Sequence, residues 1–215
     1  MSRGIEYLQG PEKRGLDLTV SSILSLPALG IAGLTAAALN REVGGWRNSL
    51  FMQKRVVGDG EIIIPKLRTL HPDKTQGRLV SYGPQDPRAG TMGRFVRQVG
   101  LDETLQMLSV LRGDMSMVGP RPRPQLEFEE YEQADPVLFE EWNEAYHSMK
   151  PGIFGSSQLM RHGHAINGTD EIRVESMRME LQYAEEAALA TDLRILIGAI
   201  PGIPRAAVSA YAEAA

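Results

Sequence analysis

Residues 16–39 read LDLTVSSILSLPALGIAGLTAAAL, and no side chain between Leu18 and Leu39 is charged. A straight helix from Leu18 to Leu39 would be about 33 Å long, enough to cross a hydrocarbon layer of about 30 Å. Pro27 sits near the middle. A proline inside a helix removes one hydrogen bond and crowds the preceding turn, so the run is expected to kink there. Two half-helices of roughly ten residues each could then enter a bilayer and turn back. The flanks favour that geometry: Arg3, Lys13 and Arg14 precede the run, and Arg41, Arg47, Lys54 and Arg55 follow it. Cytoplasmic flanks are normally the positive ones, and a spanning helix would leave one cluster on the wrong side. Trp46 fits an interfacial anchor just beyond. A buried soluble helix is the competing reading. A signal peptide ending at Ala36-Ala37-Ala38 is a second, for which the run is too long and starts late.

The rest of the chain has the balance of an ordinary folded protein. Its 215 residues are 42% apolar and 23% charged, room for about one domain. There is no cysteine, which removes disulfides, thiolate metal sites and a cysteine nucleophile together. The net charge of −4 hides a segregation: residues 41–123 carry +6 and residues 124–192 carry −11. A basic middle next to an apolar run suits anionic headgroups or phosphorylated substrates. Nucleic acid is the competing partner and is disfavoured, because few aromatics, Phe51, Tyr82 and Phe95 among them, interleave with those basic residues.

The expected organisation is an N-terminal segment over 1–40, a main domain over 41–200 and a tail over 201–215, interrupted by Pro201 and Pro204. Residues 51–70 read as a hairpin, with Arg55-Val56-Val57, a turn at Gly58-Asp59-Gly60, then Glu61-Ile62-Ile63-Ile64. Residues 71–90 are rich in Pro, Gly and Asp and read as loop. Met92, Phe95, Val96 and Val99 recur at helical spacing, as do Leu101, Leu105, Leu108 and Leu111. Arg94 and Arg97 fall on the polar face of the first stripe. Glycines and prolines break regular structure over 112–124. An acidic helix is expected over 125–149 with Phe128, Tyr131, Trp142 and Tyr146 inward. A second is expected over 171–197, with Met177, Leu181, Ala184 and Ala188 aligned.

Asp102 and Glu103 open a predicted helix, flanked by Arg94, Arg97 and, further on, Arg112. Acidic residues are favoured at helix starts for capping reasons alone. The functional reading is that one carboxylate attacks phosphorus or binds metal while its neighbour shares the task, with the arginines keeping both ionised. Hard carboxylate oxygens beside substrate phosphates suit Mg²⁺. In Gly119-Pro120-Arg121-Pro122-Arg123-Pro124 the prolines hold the chain extended, so Arg121 and Arg123 point apart. One could clamp a diphosphate while the other pairs with a carboxylate or a lipid phosphate; a rigid surface loop is the plain alternative. Lys66 and Arg68 alternate after an apolar strand, more often a sheet edge than a ligand site. His162 and His164 have no acidic partner at metal-ligand spacing. No Walker A loop, dinucleotide fingerprint or nucleophile elbow is present.

Taken together these residues resemble the bacterial sugar transferase family, the monotopic phosphoglycosyl transferases. The resemblance runs from about Lys13 to Ile197. It takes in Lys13-Arg14-x-x-Asp17, Phe51-x-Gln53-x-Arg55, Lys66-Leu67-Arg68-Thr69, Asp86-Pro87-Arg88 and Gly93-Arg94-Phe95-x-Arg97. The most specific stretch is Leu101-Asp102-Glu103 through Leu111-Arg112-Gly113-Asp114 to Gly119-Pro120-Arg121-Pro122, followed by Lys150-Pro151-Gly152-Ile153 and Asp192-Leu193-Arg194-Ile195. The resemblance implies transfer of a sugar-1-phosphate from a UDP-sugar to a polyprenyl phosphate, with UMP leaving. It implies Asp102 as nucleophile, Glu103 as ligand to Mg²⁺, and Lys66, Arg121 and Asp192 around the phosphates. Arg68 and Arg94, cations of the same motifs, and Arg123 of the proline-alternating segment join the candidate substrate-binding set. It also implies a mainly α fold with a small β element, interfacial amphipathic helices, and a re-entrant helix kinked at Pro27 that holds the catalytic domain on the cytoplasmic face of the inner membrane. Leu26 stands where the family commonly has serine before Pro27, and Leu105 where it commonly has proline. Oligomeric state is left open, a homo-oligomer included.

Overall fold

The computed structural model describes residues 3–58, 60–71, 86–157 and 169–200. The protein is mostly helical, with two small two-stranded sheets. Helix α1 (Arg3–Gln9) leads into the long α2 (Pro11–Leu39), which Pro11 opens from inside its first turn. A proline there gives up only an N–H that had no partner. Strands β1 (Leu50–Val57) and β2 (Gly60–Leu67) form the expected antiparallel hairpin, with Phe51 opposite Lys66 and Arg55 opposite Ile62. Next come α3 (Thr91–Gln98), a 3₁₀ turn (Leu101–Glu103) and α4 (Gln106–Arg112).

Helix α2 is inverted relative to a helix of a soluble protein. Its buried stripe is Lys13, Asp17, Ser21, Ser25, Ala28, Ala32, Ala36 and Leu39, whereas Ile23, Leu26 and Leu34 are 69%, 80% and 75% exposed. The helix is long and apolar enough to cross a membrane, judged by length and composition. Its polar end is fastened to the rest of the protein. Asp17 accepts the Met117 N–H at 2.8 Å and the Ser116 hydroxyl at 2.9 Å. Arg14 donates to the carbonyls of Val110 and Leu111 at 2.7 and 2.8 Å. Those carbonyls belong to the last turn of α4, where a cation meets orphan acceptors and the negative end of the helix dipole. The apolar end packs Ala32, Ala36 and Leu39 against Val43, Leu67, Val96 and Leu105.

The structure corrects four of the expected elements. Asp102 and Glu103 do not open α4; they occupy the 3₁₀ turn ahead of it. The intended break over 112–124 contains a strand, β3 (Ser116–Val118), which pairs in parallel with β4 (Gly152–Phe154). Gly119 and Gly152 let these backbones meet: a Cβ on Gly152 would stand 2.1 Å from the Gly119 nitrogen. The acidic helix is two helices, α5 (Gln125–Ala134) and α6 (Pro136–Ser148). Asp135 separates them in extended conformation and caps α6 by accepting the Leu138 N–H at 3.1 Å. Finally, the last long helix is α7 (Asp170–Glu186) and α8 (Leu189–Gly198), divided where Ala188 is extended at φ −159°. Asp59 of the hairpin turn, residues 72–85 of the loop, Arg161, His162, His164 and the tail over 201–215 lie outside the described residues.

Two further cores hold the domain. Ile64, Val110, Met115, Met117, Val118, Tyr183 and Ile195 form the central one. The other is the aromatic group expected from the acidic helices, with Trp142 stacked on Tyr131 at 5.1 Å and against Phe128 and Tyr146 at 5.4 and 5.0 Å. Each aromatic buries a large apolar area and adds roughly 0.5–1.5 kcal/mol per pair beyond it.

Candidate active site

Gly100 makes the turn that places the acidic pair. It sits in the left-handed region at φ 73°, which glycine adopts without steric cost. The chain leaving α3 therefore reverses at once into Leu101–Glu103. Lys66, at the end of β2, donates to Glu103 Oε1 at 2.6 Å. Burial works against ionisation of Glu103, but Lys66, Arg121 and Arg55 outweigh it and hold the carboxyl down at about 2. Asp102 goes the other way. Burial and the neighbouring Glu103 charge raise it above the usual aspartate value, and Lys66 and Arg97 offset only part of that. Two adjacent carboxyls are thus driven apart in basicity.

Arg97 closes the other side. It donates to the Thr69 hydroxyl at 3.3 Å. Burial lowers it, with Asp102 and Asp86 opposing that shift. Asp86 is buried and takes a two-point contact from Arg88, at 2.9 and 2.7 Å. That fork geometry fixes the Asp86-Pro87-Arg88 corner from which α3 departs.

The residues singled out from sequence divide into two groups. Lys66, Asp102, Glu103 and Arg121 share one electrostatic neighbourhood. Arg68 stands at its edge, donating to the Asn48 carbonyl at 2.9 Å with its guanidinium 5.0 Å from the Phe51 ring centre. Arg94 is exposed and bonds the Ala89 carbonyl at 3.2 Å, so Arg97 is the arginine of α3 that serves Asp102. Arg123 and Asp192 lie in the core with their partners around them. Arg123 forks onto both oxygens of Glu180 at 2.9 Å, the carboxylate pairing foreseen for one of the two arginines. Asp192 accepts from Lys13 at 2.6 Å, Tyr183 at 2.7 Å and Tyr7 at 2.9 Å. Arg55, given no role from the sequence, acts on Glu103. Its signal was available: on a strand, residues that face each other across a ladder share a side, and Arg55 lies four pairs along from the Phe51–Lys66 pair, an even step that keeps it on the same face.

A carboxylate pair ringed by lysine and arginine is built for anionic, phosphorylated substrates. Comparison with known proteins says which class this is. The chain matches the bacterial sugar transferase family over residues 8–205 and belongs to that family; it is a transferase. It is 31% identical to the UDP-glucose:undecaprenyl-phosphate glucose-1-phosphate transferase of Caulobacter vibrioides, over 89% of this chain and 69% of that protein. It is 31% identical to the galactosyl transferase CpsE of Streptococcus agalactiae, over 86% of this chain but 40% of that protein. It is 27% identical to the exopolysaccharide production protein ExoY of Rhizobium meliloti, over 93% and 88% respectively. The chain thus spans under half the length of some relatives and most of the length of others.

Proposed function

We propose that this protein transfers a sugar-1-phosphate from a UDP-sugar to undecaprenyl phosphate, giving a polyprenyl diphosphate sugar and UMP. The observation that carries the reading is the split acidic pair. Glu103 stays anionic among its cations. Asp102, the more basic of the two, is the better nucleophile, and environments that push paired groups apart assign their roles. In the first step an Asp102 oxygen attacks the sugar-bearing phosphorus, and the bond to the UMP oxygen breaks. In the second a polyprenyl phosphate oxygen attacks the same phosphorus and the aspartyl–phosphorus bond breaks, returning the carboxylate. A covalent intermediate lets a soluble donor and a lipid acceptor use one site in turn. Lys66, Arg97 and Arg121 offset the charge that develops on the phosphoryl oxygens.

Mg²⁺ fits the donor set. Glu103 has one oxygen outside its bond to Lys66, no side-chain donor among the described residues is bonded to the Asp102 carboxylate, and Mg²⁺ is held through one or two carboxylates plus substrate phosphates. When bound it would neutralise phosphate charge. Glu103 would be its ligand, with Asp102 alongside. A panel of UDP-sugars with undecaprenyl phosphate should release UMP with one or a few sugars, and EDTA should abolish it. No release with any sugar, from folded protein in lipid, would overturn the assignment. Similarity to a protein named for exopolysaccharide production supports a place in that kind of assembly.

The pH dependence follows from the same charges. Asp102 must be ionised to attack, and its pKa is raised, so the acid limb of kcat/KM should lie above the usual aspartate range near 4. Lys66 lowers both carboxyls. Lys66→Met should therefore move that limb to still higher pH; a limb that stays put would separate Lys66 from the nucleophile.

The inverted stripe of α2 supports attachment to a membrane; the positive flanks on both sides favour a re-entrant helix, kinked at Pro27, that holds the catalytic domain on the cytoplasmic face of the inner membrane. The chain has no cysteine, so single cysteines at the exposed positions Glu6 and Arg47 can report sidedness. Both should react with a membrane-impermeant maleimide from the cytoplasmic side only. Labelling of one from each side would show a spanning helix instead.

A further inference from the structure

Arg55 is 9% exposed, and a buried arginine is normally matched by a carboxylate. Arg123 shows the rule, with Glu180 on both of its terminal nitrogens. Arg55 departs from it. Among the described residues its guanidinium makes one hydrogen bond, from Nη1 to the neighbouring Lys54 carbonyl at 3.0 Å, although a guanidinium has five N–H donors. Its Nε and Nη2 are not sealed off: the buried atoms lacking a partner, among the described residues, are Asn40 Oδ1, Ser49 Oγ and Arg123 Nε. The remaining donors of Arg55 therefore reach accessible space.

What lies beside it is a second cation. The Val56 N–H donates to the Arg123 carbonyl at 2.9 Å, and the Tyr146 hydroxyl donates to the Arg121 carbonyl at 3.0 Å. The first bond seats the end of β1 against the Arg121–Arg123 segment, and the second holds that segment from α6. The Arg121 side chain bonds no described residue. Burial and then the Arg121 charge push Arg55 down to about 10, so the two guanidinium groups repel each other. Glu127 and Glu103 oppose that shift from nearby, but neither bonds Arg55, and Glu103 is already engaged by Lys66. Two guanidinium groups close enough to act on each other, each with donors that no described residue engages, form an arrangement that a phosphoryl group would complete.

We propose that Arg55 and Arg121 form a phosphate clamp next to Glu103, in which Arg55 is the buried anchor and Arg121 the solvent-side jaw. The proposal rests on the phosphoglycosyl transfer reading, since the diphosphate of the donor and the phosphate of the lipid acceptor are the two anions that would enter. Oxygens of one phosphoryl group would accept from both guanidinium groups, relieving their repulsion.

The test uses the full chain in nanodiscs, with Arg55→Gln and Arg55→Lys. UDP affinity is measured by calorimetry, and the KM for undecaprenyl phosphate from UMP release. Losing a charge-assisted two-point contact should weaken the anion it holds by about tenfold or more. Weaker UDP binding with an unchanged acceptor KM identifies the donor diphosphate. The reverse pattern identifies the lipid phosphate. Arg55→Lys keeps the charge but not the fork, so it should recover only part of the loss. Because Arg55 is repelled rather than paired, neither variant should melt below wild type, whereas loss of a structural arginine would lower Tm. Unchanged UDP affinity and acceptor KM in both variants would overturn the clamp, as would full recovery by a variant with lower Tm. UDP binding is read without turnover. A wild type that binds UDP through Arg55 but transfers no sugar would sink the reaction and leave the clamp standing.

Discussion

Replacing Asp102 by asparagine should slow UMP release by on the order of 10³-fold or more, equivalent to about 4 kcal/mol of activation free energy. The amide matches the carboxylate in shape but has no anionic oxygen to offer phosphorus. The same substitution should leave the protein at least as stable as wild type. No side-chain donor bonds the Asp102 carboxylate among the described residues, and burial with the Glu103 charge disfavours its ionised form. A neutral side chain removes that repulsion, so Tm in detergent or nanodiscs should hold or rise. Wild type quenched after donor alone should carry a phosphosugar mass on the peptide containing Asp102, and the variant should not. Undiminished UMP release from the variant would remove the covalent role and leave direct attack by the lipid phosphate.

The case for Asp102 shows where sequence reading is strong and where it stops. The pair itself, its cationic setting and Lys66 are legible because they are local: one turn, one strand end, one motif. The hairpin and α2 are legible for the same reason, through β-branched residues on both sides of the Gly58-Asp59-Gly60 stretch and an uncharged run from Leu18 to Leu39. The division of α5 from α6 was also written in Asp135-Pro136, a cap followed by a first-turn proline. The break at Ala188 had no such mark, since alanine favours a helix and only packing pulls it extended. Strand β3 is three residues long and gains its partner from Gly152–Phe154; no period can be read over so short a span. Asp192 sits in a family motif as the site residues do, and Arg123 directly follows one. Their burial comes from partners at sequence distances of 179 and 57, a relation that motif spacing does not carry.

The second large effect concerns that hidden ionic core. Glu180 is 1% exposed and collects four donors: Arg123 Nη1 and Nη2 at 2.9 Å, Ser157 Oγ at 2.7 Å and Trp142 Nε1 at 3.0 Å. Arg123 also stacks on Tyr131, its guanidinium carbon 4.6 Å from the ring centre. Burial works against its charge, yet Glu180 keeps its pKa well above the usual guanidinium value. Glu180→Ala would strand a charged guanidinium together with an indole N–H and a hydroxyl. Breaking one side of a buried pair costs about 3–5 kcal/mol, and in a chain of this size roughly 10 °C of Tm. Because Tyr131, Trp142 and Tyr146 pack around Arg123, and the Arg123 backbone continues from Arg121, transfer should fall with stability. Arg123→Met combined with Glu180→Leu tests whether the charges or the unmatched charge matter. Replacing both with apolar groups of similar volume is often near neutral, so the double variant should melt well above Glu180→Ala alone. A double variant that loses as much as Arg123→Met and Glu180→Leu, each measured singly, lose in sum would mean the pair contributes by packing, with no coupling between its charges.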